Sequence, residues 1–137
     1  MVQTMKFGIY VVQNKLEKFY LDAIKEYEKR LTRYGKTQLN MLKNREQFTA
    51  KLAGSSFTVL ITQSEQPISS ESFADKINTW GISGTSQITF IIGTDFPQPD
   101  ERLTLSQMDM EPGLQATILF EQLYRAYRII HNHPYHK

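Results

Sequence analysis

The chain contains no cysteine, which excludes disulfides, thiolate metal sites and a cysteine nucleophile at once. Histidine is almost as scarce, and all three, His131, His133 and His136, fall at the very end of the chain; no metal centre is expected. No apolar run approaches the roughly 20 residues that span a bilayer, so no membrane role is expected. Met1 to Val12 lacks the charged start, long apolar stretch and small-residue cleavage site of a signal peptide. The cytoplasm is therefore the expected compartment. G-x-G-x-x-G, the P-loop, H-E-x-x-H and G-x-S-x-G are all missing, which weakens the dinucleotide, nucleotide, zinc-protease and serine-hydrolase readings. Charge of one sign is missing too. A net charge of +2 is too small to bind nucleic acid through its total, because phosphate affinity comes from clustered cations.

What is present is the makeup of an ordinary globular domain, 40% hydrophobic and 22% charged over 137 residues. That length suits one domain over residues 1–137, without internal repeat or linker, and leaves no room for a separate substrate domain. The cations do cluster: Tyr124 to Lys137 holds Arg125, Arg128, His131, His133, His136 and Lys137 and no acid.

Lys6 to Val12 is rich in β-branched and aromatic residues and predicts a buried strand. Leu16, Tyr20, Ala23, Ile24, Tyr27, Leu31 and Tyr34 recur at helical spacing, with Gly35 as a C-terminal cap. Thr37–Leu42 reads as a second strand, Arg45–Leu52 as a short helix ended by Gly54, and Phe57–Ile61 as a third strand covered on both faces. A helix starts around Ser69-Ser70-Glu71 and turns Phe73, Ile77 and Trp80 inward. Gln87–Ile92 and Leu103–Met108 read as strands four and five, and Pro112-Gly113 introduces a last helix, Leu114 to about His131. Alternation of this kind argues for a three-layer α/β domain with a mostly parallel sheet of five to six strands.

The last helix carries two apolar lines, Leu119, Leu123, Ala126 and Ile130 beside Phe120, Tyr124 and Tyr127. Two readings stand: a deeply buried helix, or one that also packs on a second subunit. Ligands of open α/β sheets lie at the carboxyl ends of the strands, here Thr62–Gln66, Gly93–Asp100 and Met108–Gly113.

The C-terminal run Phe120-Glu121-Gln122-Leu123-Tyr124-Arg125-Ala126, followed by Asn132-His133-Pro134-Tyr135-His136-Lys137, resembles the ending of the ribosomal RNA large subunit methyltransferase H family, E-x-x-Y-R-A and then N-H-P-Y-H-K/R. Tyr27-Glu28-Lys29-Arg30-Leu31, Ser69-Ser70-Glu71 and Phe90-Ile91-Ile92-Gly93 agree less specifically. The resemblance implies a SPOUT-type fold with a C-terminal trefoil knot, an S-adenosylmethionine pocket formed by the three loops, a homodimer, and N3-methylation of a pseudouridine in large-subunit ribosomal RNA of the assembled ribosome.

On that basis Ile61, Ile92, Gly93, Met108 and Leu114 are candidate cofactor contacts. His133, Tyr135 and His136 are candidate catalytic residues, and Arg125, Arg128, His131 and Lys137 candidate RNA contacts. The chain departs from the family pattern at its loops. Ile92-Gly93-Thr94-Asp95-Phe96-Pro97 stands where the family has I-G-G-x-x-G, Gln98–Arg102 is short, Asp109-Met110-Glu111-Pro112 and Ala116 replace T-x-P-H and an arginine, and Glu65 stands where glycine is usual. A β-carbon in such loops limits how closely a ligand can approach the backbone. Asp95, Asp109 and Glu111 read either as contacts to a sulfonium or as solvated loop acids. Beside the enzyme reading therefore stands a paralogue that binds ribosome or RNA without methyl transfer.

Overall fold

The computed structural model describes residues 5–13, 15–47 and 56–135. Its elements in chain order are β1 (Met5–Val12), α1 (Lys18–Leu31), β2 (Gly35–Leu42), β3 (Phe57–Pro67), α2 (Ser70–Ile82), β4 (Gln87–Ile92), β5 (Glu101–Thr104) and α3 (Pro112–Ile130). The strands form one sheet in the order β2-β1-β4-β3-β5, and every pair is parallel.

The registers Ile9↔Phe90 and Val59↔Phe90 bring Phe7, Ile9, Val11, Val59, Ile88, Phe90 and Ile92 to one face. There they join Ile24 and Leu31 of α1, Phe73, Ile77 and Trp80 of α2, and Leu119, Phe120 and Leu123 of α3 in a single core. Phe90 is its hub, with ring contacts to Phe7 at 6.1 Å, Phe73 at 6.3 Å and Trp80 at 6.4 Å. All three long helices thus cover the same face, so among the described residues the expected three layers reduce to two. The opposite face is polar and exposed at Lys6, Lys36, Gln38 and Gln87. It carries only a small apolar group of Leu42, Leu60 and Ile91 with Tyr10, Val12 and Phe96. Continuous apolar runs in β3 and β4 suggested helices on both sides; instead, loop residues such as Phe96 cover their second face.

Several boundaries move for local reasons. Helix α1 ends at Leu31, and Gly35 opens β2 instead of capping the helix; a β-carbon there would stand 2.8 Å from the Met5 carbonyl, so glycine permits the close β1–β2 approach. Strand β5 covers Glu101–Thr104 and not Leu103–Met108. Its start is latched by Asp100, whose Oδ2 accepts from the Thr58 amide at 2.8 Å while its own amide donates to Thr58 Oγ1 at 3.0 Å. Of the helix expected over Arg45–Leu52, Arg45–Gln47 are helical and the remainder lies outside the described residues, as does Gly54. The Ser69 side chain caps α2 by accepting from the Ser72 amide at 3.1 Å.

The C-terminus of α3 closes in a Schellman motif. The His133 amide donates to the Arg128 carbonyl at 2.7 Å and the Asn132 amide to that of Ile129 at 3.0 Å, with Asn132 in the left-handed region at φ 57°. This reversal folds the tail back onto α1 and α3. The wide apolar arc of α3 is explained largely inside the chain, because Phe120 and Tyr127 are buried in the core and only Tyr124 and Ile130 of the arc remain half-exposed. Phe120 and Tyr127 are therefore unavailable as anchors for a second subunit.

Candidate functional site

The loops after β4 and β5 do converge, but the first expected loop, Thr62–Gln66, is the bulged end of strand β3, which runs on to Pro67. With that strand end they enclose an open cleft of about 1040 Å³ lined by Leu60, Ile61, Thr62, Gly93, Asp95, Arg102, Met110, Pro112 and Gln115, among others. Glutamines lace the loops together: Gln63 Nε2 donates to the Met108 carbonyl at 2.9 Å, Gln107 Nε2 to that of Glu65 at 3.2 Å, and Gln115 Nε2 to that of Met110 at 2.9 Å. Strand β3 bulges between Thr62 and Pro67 at the rim, where Thr104 Oγ1 holds both Thr62 Oγ1 at 2.7 Å and the Glu65 amide at 3.0 Å.

Glycine has a definite role at Gly93 in the cleft wall and at Gly113 beside it. Gly93 has φ +87°, and a β-carbon there would lie 2.8 Å from the Val12 carbonyl and 3.2 Å from Pro112. At Gly113 a β-carbon would come within 2.6 Å of the Tyr20 ring, so α3 can cross α1 there only without a side chain.

Of the candidate cofactor contacts, Ile61 and Gly93 line the cleft. Ile92 is fully buried beneath it, Met108 is 74% exposed outside it, and Leu114 is not among the lining residues. Met110, Pro112 and Gln115 hold the positions that Met108 and Leu114 were expected to hold, because β5 stops at Thr104 and α3 starts at Pro112. Among the loop acids, Asp95 lines the cleft and Asp109 does not. Glu111 accepts a hydrogen bond from the Tyr20 hydroxyl, whose pKa is raised chiefly by that bond.

The second group of candidates sits at the far end of α3. Glu121 Oε2 accepts from Arg125 Nη2 at 2.9 Å and from the Tyr135 hydroxyl at 3.0 Å, and the Arg125 guanidinium lies 4.9 Å from the Tyr135 ring centre. Burial first, then hydrogen bonding with Tyr27 and with Glu121, push the Tyr135 hydroxyl well above its ordinary pKa. Tyr34 Oη stands 2.8 Å from His133 Nδ1, and its ring stacks on Tyr127 at 5.1 Å and on His131 at 5.2 Å. Arg128 reaches Tyr34 Oη at 3.3 Å and the Pro134 carbonyl at 3.2 Å. Arg30 and Arg33 of the α1 end add cations over Tyr124 and Tyr34. Tyr34, Arg30 and Arg33 were not expected at this cluster; they stand about a hundred residues from the tail in the chain, and only the α1–α3 contact joins them. His136 and Lys137 lie outside the described residues.

Helix α3 has 19 residues, a length of roughly 28 Å at the standard rise. The cleft takes the N-terminal turn of α3, and the tail cluster its second half from Glu121 onward. Among the described residues no group of three or more acids or histidines could hold a metal ion, and no helix is long and apolar enough to cross a membrane.

Comparison with known proteins agrees with this geometry. The family described as "Predicted SPOUT methyltransferase" matches residues 5–136. The chain is 42% identical over 133 residues to "Ribosomal RNA large subunit methyltransferase H 1" of Thermoanaerobacter sp. (strain X514), covering 97% of this chain and 100% of that one. It is 35% identical over 159 aligned positions to "Putative ribosomal RNA large subunit methyltransferase H" of Methanococcus maripaludis, again with 97% and 100% coverage. The Desulforamulus reducens protein named "Ribosomal RNA large subunit methyltransferase H" is 34% identical, with 97% and 99% coverage. The 159-position alignments run longer than this chain, whereas the Thermoanaerobacter relative is as compact as it is. With a matching C-terminal motif, a five-stranded parallel sheet and full-length similarity, the chain belongs to the SPOUT methyltransferases of the ribosomal RNA large subunit methyltransferase H family.

Proposed function

We propose that the protein transfers a methyl group from S-adenosylmethionine to N3 of a pseudouridine in large-subunit ribosomal RNA, with each active site built from the cleft of one subunit and the tail of another. The single observation that carries the composite site is the separation along α3 of the cleft, lined by Pro112 and Gln115, from the tail, whose Tyr135 is hydrogen-bonded at Glu121 about 14 Å further along the helix and whose His133 lies beyond its end. The Schellman closure and the Tyr135–Glu121 bond hold the tail away from the cleft of its own chain, whereas a two-fold dimer can bring unlike ends together. An exposed aromatic suits the contact: Phe19 is 62% exposed and lies 4.4 Å from Tyr20, the residue that packs on Gly113 at the cleft end of α3.

The cleft residues fit the proposed cofactor. Leu60, Ile61 and Pro112 offer an apolar slot for adenine, Asp95 an acceptor for ribose hydroxyls, and Arg102 a cation for the carboxylate. When bound, S-adenosylmethionine supplies the electrophilic methyl carbon. The chain's own contribution is positioning: laced loops hold the cleft, and the tail's arginines and Tyr135 orient the RNA through phosphate contact and stacking. The return of the chain from edge strand β5 past β3 to Gly93 is where the family's trefoil crossing would lie. A ribosomal substrate makes the cytoplasm the place of action.

Ribosomes lacking the modification are the test. Thr94→Trp in the cleft and Tyr135→Ala in the tail should each abolish methyl transfer, and a co-refolded equal mixture should recover about a quarter of it, because half the dimers carry one intact site. Recovery absent from the mixture would remove the composite site. If calorimetry with S-adenosylmethionine and the assay of the native chain are both silent at millimolar cofactor, the non-catalytic RNA-binding paralogue replaces the enzyme.

A further inference from the structure

We infer that Tyr34 is a positioning residue that holds His133 in its Nε2–H tautomer, so that His133 meets the RNA as a hydrogen-bond donor and not as a base. The inference rests on the proposed role of the tail in RNA contact, which it deepens by assigning the chemistry of one side chain.

The assignment follows from what each neighbour can do. His133 Nδ1 has two polar neighbours, Tyr34 Oη at 2.8 Å and Arg128 Nη1 at 3.4 Å. A guanidinium can only donate, so a proton on Nδ1 would point at another N–H. Arg128 Nη1 also donates to Tyr34 Oη at 3.3 Å, which takes one of that oxygen's two lone pairs, and the cation beside both atoms favours a hydroxyl hydrogen, rather than a second N–H, in the Tyr34–Nδ1 bond. The chain Arg128 to Tyr34 to His133 thus runs in one direction and makes Nδ1 the acceptor. In a neutral imidazole the proton then sits on Nε2. The doubly protonated ring is opposed by desolvation and by the charges of Arg128, Arg33 and His131.

Tyr34 is itself held. Its ring stacks on Tyr127 with an interplanar angle of 6° and on His131 with one of 20°, those two rings also stacking on each other at 6.3 Å, and Arg33 lies 5.2 Å from its ring centre. The His133 backbone is fixed by the Schellman bond to Arg128. Ring and hydroxyl therefore meet without either side chain having to search, the condition under which one hydrogen bond fixes a tautomer. Among the described residues Nε2 has no partner. It presents a single N–H, which suits an acceptor-only oxygen of RNA, phosphate or base carbonyl. The lone pair that a general base would need is on Nδ1 and already engaged, so the proton lost from the target nitrogen does not go to His133.

Protein labelled with ¹⁵N-histidine, with the His133 resonances identified by their loss in His133→Gln, reports the tautomer directly in long-range ¹H–¹⁵N correlation spectra at neutral pH. We expect a protonated Nε2 and a bare, hydrogen-bonded Nδ1; averaged nitrogens or a protonated Nδ1 in the native chain overturn the inference whether or not any variant folds. Tyr34→Phe should move the two nitrogen shifts toward one another, and an unchanged pair would remove Tyr34 from the role. In ribosome binding, His133→Gln keeps a donor near Nε2 and should stay close to native, whereas His133→Asn and His133→Phe should weaken binding roughly threefold to tenfold, the worth of one hydrogen bond. Equal losses for Gln and Asn would count against the donor role. The spectra use the free protein, so a locked tautomer in a chain that transfers no methyl group would sink the enzyme reading and leave the tautomer standing.

Discussion

The Tyr135 hydroxyl donates to Glu121 Oε2 at 3.0 Å, across two turns of reversed chain, and the same oxygen also takes Nε and Nη2 of Arg125. The tail is thereby part of the folded structure. An isolated run of cations with one aromatic suggests instead an arm whose removal leaves stability unchanged. Truncation after Asn132 should lower the thermal midpoint by several degrees, and Tyr135→Phe alone should cost about 1 kcal/mol, the usual worth of a partly buried hydrogen bond. Calorimetric melting checks both; a truncated chain that melts with the native one would return the tail to the status of a free arm.

Asn132 is the hinge of that reversal, at φ 57°. Asn132→Gly should be neutral or slightly stabilising, because glycine enters the left-handed region without penalty. Asn132→Val should cost about 1–2 kcal/mol and, by misdirecting His133 and Tyr135, weaken ribosome binding as well. Urea titration and a binding assay on the same two variants separate the backbone effect from the contact effect.

Gly93 in the cleft wall and Gly113 beside it both stand where a β-carbon would collide. Gly93→Ala would combine a left-handed backbone with a clash on the Val12 carbonyl, and we expect a loss of at least about 2 kcal/mol. Gly113→Ala would drive a methyl into Tyr20 and part α3 from α1 at the cleft end. Bulky residues at Gly93, such as Gly93→Trp, are therefore poor controls for cofactor binding, since denaturation should precede any specific blockade; Thr94→Trp should retain native cooperativity in the same urea titration.

Stability should depend on pH through His133. Its pKa is lowered in the folded protein by desolvation and then by Arg128, Arg33 and His131, while Tyr34 faces Nδ1. The unfolded chain therefore binds the proton more readily, so this contribution is fully present above the ordinary histidine value near 6.5 and is lost as pH falls through the lower folded pKa. Urea midpoints measured from pH 7.5 to 5 should decline, and His133→Gln should flatten part of that decline. A slope that is the same in the variant would assign it to other groups.

The elements themselves were legible because their signals are local. Apolar residues at helical spacing outlined α1, five of the seven falling within it and Leu16 and Tyr34 just outside; the Ser69 cap announced α2, and the apolar run of Gln87–Ile92 marked a central strand. The family was legible in the short ending from Asn132 to Lys137. Less visible were the ends of elements that depend on neighbours: Gly35 read as a helix cap until β1 was seen against it, and β5 was displaced toward Glu101 by the Thr58–Asp100 latch, a bond across 42 residues.

Sequence by itself determined the hydrophobic periodicity, and with it the helices, the strands and the convergence of the β4 and β5 loops at their carboxyl ends, since each follows from residues within a few positions of one another. Only the tertiary structure decided which residues meet. Cleft and tail were kept apart along α3 because the reversed tail is pinned at Glu121. Phe120 and Tyr127 were assigned to the core instead of an interface because α1, α2 and the sheet close around them. Tyr34 was joined to His133 because two helices cross, and contacts between distant segments depend on packing geometry that no local pattern encodes.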